Sequence, residues 1–256
     1  MKNGMKAALH RKNLLLAALE PHDFSWLEPH LEIVDLPRGK VVYQTGEPIL
    51  YTYFPHDAVI SLITNLHDGG AVEMAVFGRE SVFGFVSALV TRQSFGRYIT
   101  QISGAASRVA LDRLSEGLDR HPKIRRVLYR YTEALLTQTF QSVACNAVHS
   151  VEARCCRAIL STRDRTDTDD IPLTHETLAE MLGVQRSTVS SVTSVLQRMG
   201  LIVQGRGTIR ITNRAGLEET ACECYHTIRQ SFERLLPESQ KRAGPIARPR
   251  LIPAKP

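Results

Sequence analysis

The segment from Thr174 to Ile202 constrains the fold of this chain more than any other. Thr174 is placed to cap a helix, with Glu176 and Thr177 in its first turn and Leu178, Met181 and Leu182 at helical spacing for burial. Ala179 is small where a crossing helix must approach, and Gly183 stands where a turn between steeply crossed helices needs a permissive backbone. Val189, Val192, Val195 and Leu196 then supply the buried stripe of a second helix, leaving Gln185, Arg186, Ser187, Thr188, Ser190, Ser191 and Ser194 for its outer side. This spacing predicts a helix-turn-helix. Beyond Gly200, Leu201 to Gln204 and Thr208 to Thr212 alternate around Gly205-Arg206-Gly207, which predicts a hairpin wing.

A winged helix-turn-helix lays its second helix in the major groove of DNA, where side chains read base edges while the wing and helix ends touch phosphate. Arg186 is the best placed to grip a guanine through two hydrogen bonds, and Gln185, Ser187, Ser190 and Ser191 can add base or phosphate contacts. Arg206 and Arg210 suit backbone contacts. The charge distribution agrees. The whole chain of 256 residues carries a formal +6, yet Met181 to Arg214 alone has five arginines and no acid. Residues 1–13 and 237–256 each add +4, so the remainder is acidic at −7. A basic module on an acidic body is the pattern of a protein that presents one face to a polyanion.

Upstream, from Glu32 to about Ala110, short β-rich runs alternate with glycine-containing breaks: Val41-Val42-Tyr43, Tyr51 to Phe54, Val59 to Ile63, Val72 to Phe77 and Tyr98 to Ile102. They predict an antiparallel β-roll or jelly roll, with Asp68-Gly69 as a hairpin turn. Two short helices are expected before it, around Leu14 to Leu19 and Phe24 to Leu31. After Asp112 the period becomes helical, and from Pro122 nothing breaks it until about Ser150. Ile124, Leu128, Tyr131 and Leu135 form one apolar stripe, and Leu136, Phe140, Val143 and Ala147 a second. Two stripes need two covering surfaces: the chain's own roll and a second copy of the helix. Ile124, Leu128, Tyr131, Leu135, Phe140 and Val143 are therefore the expected dimerisation residues. Val151 to Ser161 reads as helix and Arg163 to Asp170 as a polar loop, and Cys222 and His226 share a face if Leu217 to Leu236 is helical. The resulting α+β architecture has four parts: N-terminal helices and sensor roll (1–111), a linker and long dimerisation helix (112–149), a winged helix-turn-helix (150–236) and a basic, disordered tail (237–256).

This order of parts resembles the Crp/Fnr family of bacterial transcription regulators over about residues 12–236. In the roll the resemblance is carried by Leu36-Pro-Arg-Gly-Lys-Val-Val-Tyr-Gln-Thr-Gly-Glu-Pro48, Tyr53-Phe54, Asp68-Gly69 and Phe83-Gly84, and in the second half by Leu173 to Gly200. It implies a homodimer on a roughly palindromic site in double-stranded DNA, a roll that senses a signal, and RNA polymerase as a partner still to be tested. In the second helix Arg186 and Thr188 match the family pattern, whereas Ser187 and Ser191 replace a glutamate and an arginine of better-known members, so a different operator is expected. Cyclic-nucleotide-binding members carry glycine-glutamate and arginine-serine pairs for the ribose and the cyclic phosphate. Here Gly84 is followed by Phe85, and Ser94-Phe95-Gly96-Arg97 replaces the second pair, which argues against cyclic AMP. Iron–sulfur members use an N-terminal cysteine cluster, and no cysteine precedes Cys145.

Other functions find less support. The longest apolar run, Leu14 to Leu19, is too short for a membrane-spanning helix, and no secretion signal follows it, so a cytoplasmic protein is expected. The five cysteines, Cys145, Cys155, Cys156, Cys222 and Cys224, are odd in number and do not form a secreted disulfide framework. Cys145 and His149 share a helix face, as do Cys222 and His226 in a continuous final helix with Cys224 opposite. Two ligands per site are incomplete, so no metal or other cofactor is expected, and a redox or metal role for these cysteines stays open. Gly205-x-Gly207 lies in a hairpin, not at a dinucleotide loop, and no phosphate-binding loop or catalytic constellation is present, so no enzyme is expected. The competing reading is a signalling or structural dimer with a cyclic-nucleotide-binding-like roll whose winged helix docks protein.

Overall fold

A computed structural model describes residues 2–236 apart from 66, 68 and 69. The Asp68-Gly69 turn and the basic tail expected from 237 onward lie outside the described residues. The chain opens with helices α1 (Lys2–His10), α2 (Leu14–Ala18) and α3 (Pro21–Leu27) and a 3₁₀ turn (Glu28–His30). Asn13 fixes the first corner: its side-chain oxygen accepts from the backbone N–H of Leu15 and Leu16, while its amide donates to Pro55 and Ser81 carbonyls at 2.9 Å each. All the hydrogen-bonding capacity of a fully buried amide is thereby used, which is what makes its burial tolerable.

Seven strands follow: β1 (Glu32–Leu36), β2 (Val41–Tyr43), β3 (Tyr51–Pro55), β4 (Val59–Asn65), β5 (Ala71–Phe77), β6 (Arg97–Ile102) and β7 (Gly104–Ala110), with a short helix α4 (Phe85–Ala88) between β5 and β6. They form two antiparallel sheets, ordered β1-β7-β3 and β2-β6-β4-β5. The inner faces meet over Leu36, Tyr53, Ala106, Ile60, Leu62, Phe77 and Tyr98. Aromatic rings fill the interior: Phe83 stacks on Tyr53 at 4.8 Å and on Tyr98 at 5.3 Å, with Phe77 at 5.9 Å. Gly84 begins α4 with φ +78°, and a Cβ there would lie 3.1 Å from the Tyr51 carbonyl oxygen, so both backbone and space call for glycine.

Helix α5 (Leu111–Arg120) leads into α6 (Pro122–Val148), whose 27 residues give it a length of roughly 40 Å. Pro122 occupies the first turn, and no glycine or proline occurs from Lys123 to Val148. The helix stops where His149 turns extended, and Ser150 caps α7 (Val151–Thr166) by accepting from the Ala153 N–H. Ile124, Leu128 and Tyr131 are buried in the chain's own core with Leu15, Leu27, Phe54 and Leu114. Their expected place at a dimer seam is corrected: burial by α2, α3 and α5 leaves them nothing to offer a second copy. Leu135 is half-buried against the same core. Phe140 (67 % exposed) and Val143 (65 %) do face outward, with Leu136 and Ala147 beside them.

Beyond α7, which runs five residues past the expected Ser161 and shortens the polar loop, come β8 (Asp170–Ile171), α8 (His175–Leu182), α9 (Arg186–Arg198), β9 (Ile202–Gln204) and β10 (Ile209–Ile211). The last helical region is two helices, α10 (Arg214–Thr220) and α11 (Cys224–Leu235), rather than one, because the chain turns extended at Ala221. Helix α11 bridges the halves. Tyr225 packs in the helix-turn-helix core, whereas Phe232 and Leu236 pack in the N-terminal core with α6. Cys155 and Cys156 are fully buried in the helix-turn-helix core, and burial pushes both thiols up to about 12, so they stay protonated.

Candidate nucleic-acid interface

The helix-turn-helix forms where its residues require. Thr174 caps α8 through its hydroxyl, which accepts from the Thr177 N–H at 3.1 Å. Gly183 ends the helix with φ +62°, and the Val184 N–H closes back on the Ala179 carbonyl. Leu178, Leu182, Val189 and Leu196 are each at most 2 % exposed and pack with Ile171, Ile202 and Ile209. Val192 and Val195 are half-buried, while Thr193 takes a fully buried position on α9 instead. The wing is a three-stranded sheet ordered β8-β10-β9, the third strand being Asp170–Ile171 out of the expected polar loop. Its turn closes with the Gly205 N–H on the Thr208 carbonyl at 2.9 Å.

A polar knot with no signature in the local sequence holds α9 against α8 and the wing. His175 Nε2 lies 2.7 Å from Gln204 Oε1 and 3.2 Å from the Thr193 hydroxyl, and its Nδ1 lies 3.0 Å from the Ser190 hydroxyl. With Nε2 donating to Gln204, Nδ1 is left to accept from Ser190. Gln197 Oε1 accepts from the Gln204 N–H at 2.8 Å, joining α9 to the strand again. A second brace is Arg154 on α7, 8 % exposed, which donates to the last carbonyl of α8 (Leu182, 3.2 Å) and to Asn146 on α6 (3.0 Å). Arg154 follows a helix start with no local signal, and its partners lie in other elements.

The expected reading residues divide into groups. Gln185, Arg186, Ser187 and Ser191 are exposed on α9, the first three at its N-terminal end, where no acid competes and the helix dipole is positive. Thr188 is half-buried on the same turn. Ser190 is turned inward to His175, and its hydroxyl also lies 3.1 Å from the Arg186 carbonyl. Arg206 is exposed at the wing tip. Arg210 is exposed but donates to Asp170 across the sheet at 2.6 Å. Arg214 is drawn into the fold by Asp164, Glu218 and the Tyr225 hydroxyl. The five arginines of the acid-free stretch are thus unequal, and Arg186, Arg198 and Arg206 are exposed without an ion pair among the described residues.

The roll meets this unit directly. Helix α8 packs on β5, with Val72 3.9 Å from where a Cβ on Gly183 would sit. Arg79 pairs with Asp167, and Arg165 Nε lies 2.8 Å from Glu80 Oε1. Between β5, α6, α7 and α11 runs a cavity of about 700 Å³ lined by Glu73, Arg157, Arg165, Arg214 and Arg229 among others. Burial pushes the Glu73 carboxyl up to about 7, against the opposing pull of its hydrogen bond from Ser61 and the charges of Arg165 and Arg157.

Roll, long helix and winged helix-turn-helix together have the architecture of a DNA-binding transcription regulator. Residues 153–220 match the profile of the Crp-like helix-turn-helix domain. The CRP-like cAMP-activated global transcriptional regulator of Mycobacterium tuberculosis is 25% identical over 199 residues, covering 73% of this chain and 87% of that protein. The global nitrogen regulator of Synechococcus elongatus is 23% identical over 199 residues, covering 74% and 89%. The structure of FixK2 from Bradyrhizobium japonicum shares the fold with a TM-score of 0.66 at 18% identity, covering 75% of this chain and 98% of that one. These likenesses in sequence and fold support a DNA-binding transcription regulator of the Crp/Fnr type. Among the described residues no helix is long and apolar enough to cross a membrane.

Proposed function

We propose that the chain works as a homodimer that reads a two-fold-symmetric DNA site, each copy laying α9 in the major groove of one half-site about one helical turn from the other. The observation that carries this is the exposed, acid-free first turn of α9, Gln185-Arg186-Ser187, on a helix held through its inward Thr193 and Ser190 by His175 and Gln204. A rigid helix with a free polar end is what base reading requires. In this reading Arg186 grips a guanine, Gln185, Ser187, Thr188 and Ser191 complete the groove-facing set, and Arg206 holds phosphate from the wing. Ser190 positions the helix through His175, and Arg210 contributes little while Asp170 engages it.

The dimer seam is the outward stripe Leu136, Phe140, Val143 and Ala147, whose alternating steps of four and three residues are those of a coiled-coil a/d seam. The roll acts as a sensor that does not take cyclic AMP. Supporting this, the Tyr53, Phe83 and Tyr98 stack occupies its interior, and Gly84-Phe85 supplies no carboxylate for a ribose. The signal is passed through the β5–α8 contact and the Arg79–Asp167 and Arg165–Glu80 pairs. The chain acts in the cytoplasm, without enzymatic chemistry, and contacts RNA polymerase at promoters. Fluorescence anisotropy with random and genomic duplexes at rising salt tests the assignment. Sequence-specific binding that steepens with the number of phosphates contacted is expected, and salt-independent or absent binding would overturn it.

A further inference from the structure

Three cysteines and a histidine from distant parts of the chain converge at the junction of the two halves. Cys145 and His149 close the last turn of α6, Cys222 lies between α10 and α11, and Cys224 opens α11. Their four ligand atoms all lie within 4.8 Å of one another. Cys145 Sγ is 3.4 Å from Cys222 Sγ, and Cys224 Sγ is 3.5 Å from His149 Nδ1. A tetrahedral zinc with ordinary Zn–S and Zn–N bonds would set its ligand atoms roughly 3.6 Å apart, so the Cys145–Cys222 and Cys224–His149 spacings already suit it and the remaining pairs need to close by at most about 1 Å. The three cysteines are buried and none is disulfide-bonded.

The surroundings fit a metal as well. His149 Nε2 lies 3.1 Å from Glu223 Oε1, which orients the ring with Nδ1 toward the three sulfurs. A carboxylate on the far nitrogen is the usual support of a metal-bound imidazole. Gln141 donates to Cys224 Sγ at 3.1 Å, and the positive charge of Arg157 acts on Cys145, complementing the net negative charge of three thiolates around a divalent ion. We propose that Cys145, His149, Cys222 and Cys224 form a closed structural site for one zinc ion. The site ties the end of α6, where the chain breaks at His149-Ser150 into the DNA-binding half, to the start of α11, which packs back along α6. It therefore fixes the angle at which the helix-turn-helix leaves the long helix.

The test uses the full chain without a histidine tag, purified under reducing conditions, and reads metal directly so that it stands apart from DNA binding. Metal analysis should find one zinc per chain. Replacement by Co²⁺ should give the intense visible bands of a tetrahedral ion with thiolate charge transfer, and Cys222→Ser should lose or sharply weaken them. If Cys222→Ser unfolds, the His149 pair decides: His149→Ala should lose tight binding, while His149→Cys should retain it with charge-transfer absorption raised by about a third. The proposal is overturned by a chain that takes up no stoichiometric Co²⁺, by His149→Ala binding as tightly as wild type, or by a Cys145–Cys222 disulfide in place of the metal.

Discussion

Replacing Phe140 by serine should split the proposed dimer. The ring stands 67 % exposed on α6, between Leu136 and Val143, which are 47 % and 65 % exposed. A phenylalanine carries about 200 Å² of apolar surface, so roughly 130 Å² per chain awaits cover, worth about 3 kcal/mol at 25 cal/mol per Å². Two-fold symmetry removes two rings per dimer, about 6 kcal/mol in the limit of complete cover. Contacts that relax around the smaller side chain and rings left partly wet cut this to about 3 kcal/mol, or roughly a hundredfold in dissociation constant. Sedimentation velocity across a dilution series measures that shift directly. Tyr131→Phe is the control, because Tyr131 lies wholly inside its own chain and its replacement should leave the dimer constant within threefold. An unchanged constant for Phe140→Ser, or a wild-type chain that is monomeric at micromolar concentration, would refute the seam.

The remaining expectations concern charge and DNA. Burial holds Glu73 at about 7, well above its value in the unfolded chain, so the folded state binds more protons between about 4.5 and 7 and stability falls as pH rises through that window. Glu73→Gln should therefore stabilise by about 1 to 3 kcal/mol at pH 8 and by little at pH 4.5, as read by chemical denaturation. His56 behaves oppositely. Burial, with the charges of His10 and Lys12 adding to it, holds His56 down at about 4, and its ring shares the Ser107 hydroxyl with His10, each at 2.7 Å. The unfolded chain binds the extra proton between about 6.5 and 4, so stability present above pH 6.5 is lost on acidification, by up to about 3 kcal/mol, and His56→Gln should flatten that slope. On DNA, Arg186→Ala should cost about 1 to 3 kcal/mol and relax preference at one base pair of each half-site. Arg206→Ala should weaken all sequences alike, and Arg210→Ala should matter less than either; equal effects of the three in a competition assay would contradict these separate roles.

Much of the fold was legible because the signals were local. Thr174, Gly183 and the aliphatic spacing of α8 and α9 announce their helices from neighbouring residues alone. Strands β1 and β7 did not stand out. β7 reads Gly-Ala-Ala-Ser-Arg-Val-Ala, small residues with little strand preference, and forms only because it lies between β1 and β3 in the sheet. On α6 both apolar stripes were visible, but periodicity says which residues share a face and not what covers it. Only tertiary packing shows Ile124, Leu128 and Tyr131 spent on the chain's own core. The proposed reading residues share a polar face that the spacing of α9 displays, whereas Ser190 turning inward depends on His175, fifteen residues earlier. The Cys145–His149 pair could be seen as one helical step; that Cys222 and Cys224 complete it could not, because the chain breaks at Ala221 where the pattern suggested one helix.

The proposed function rests on two copies of α9 reading DNA across a two-fold axis. Selection of bound sequences from a random duplex pool by the purified full chain puts this to the test. An enriched inverted repeat with half-sites about one helical turn apart is expected, with loss of one preferred base pair per half-site for Arg186→Ala. A pool that stays random, or a single unpaired motif bound by a monomer, would contradict it.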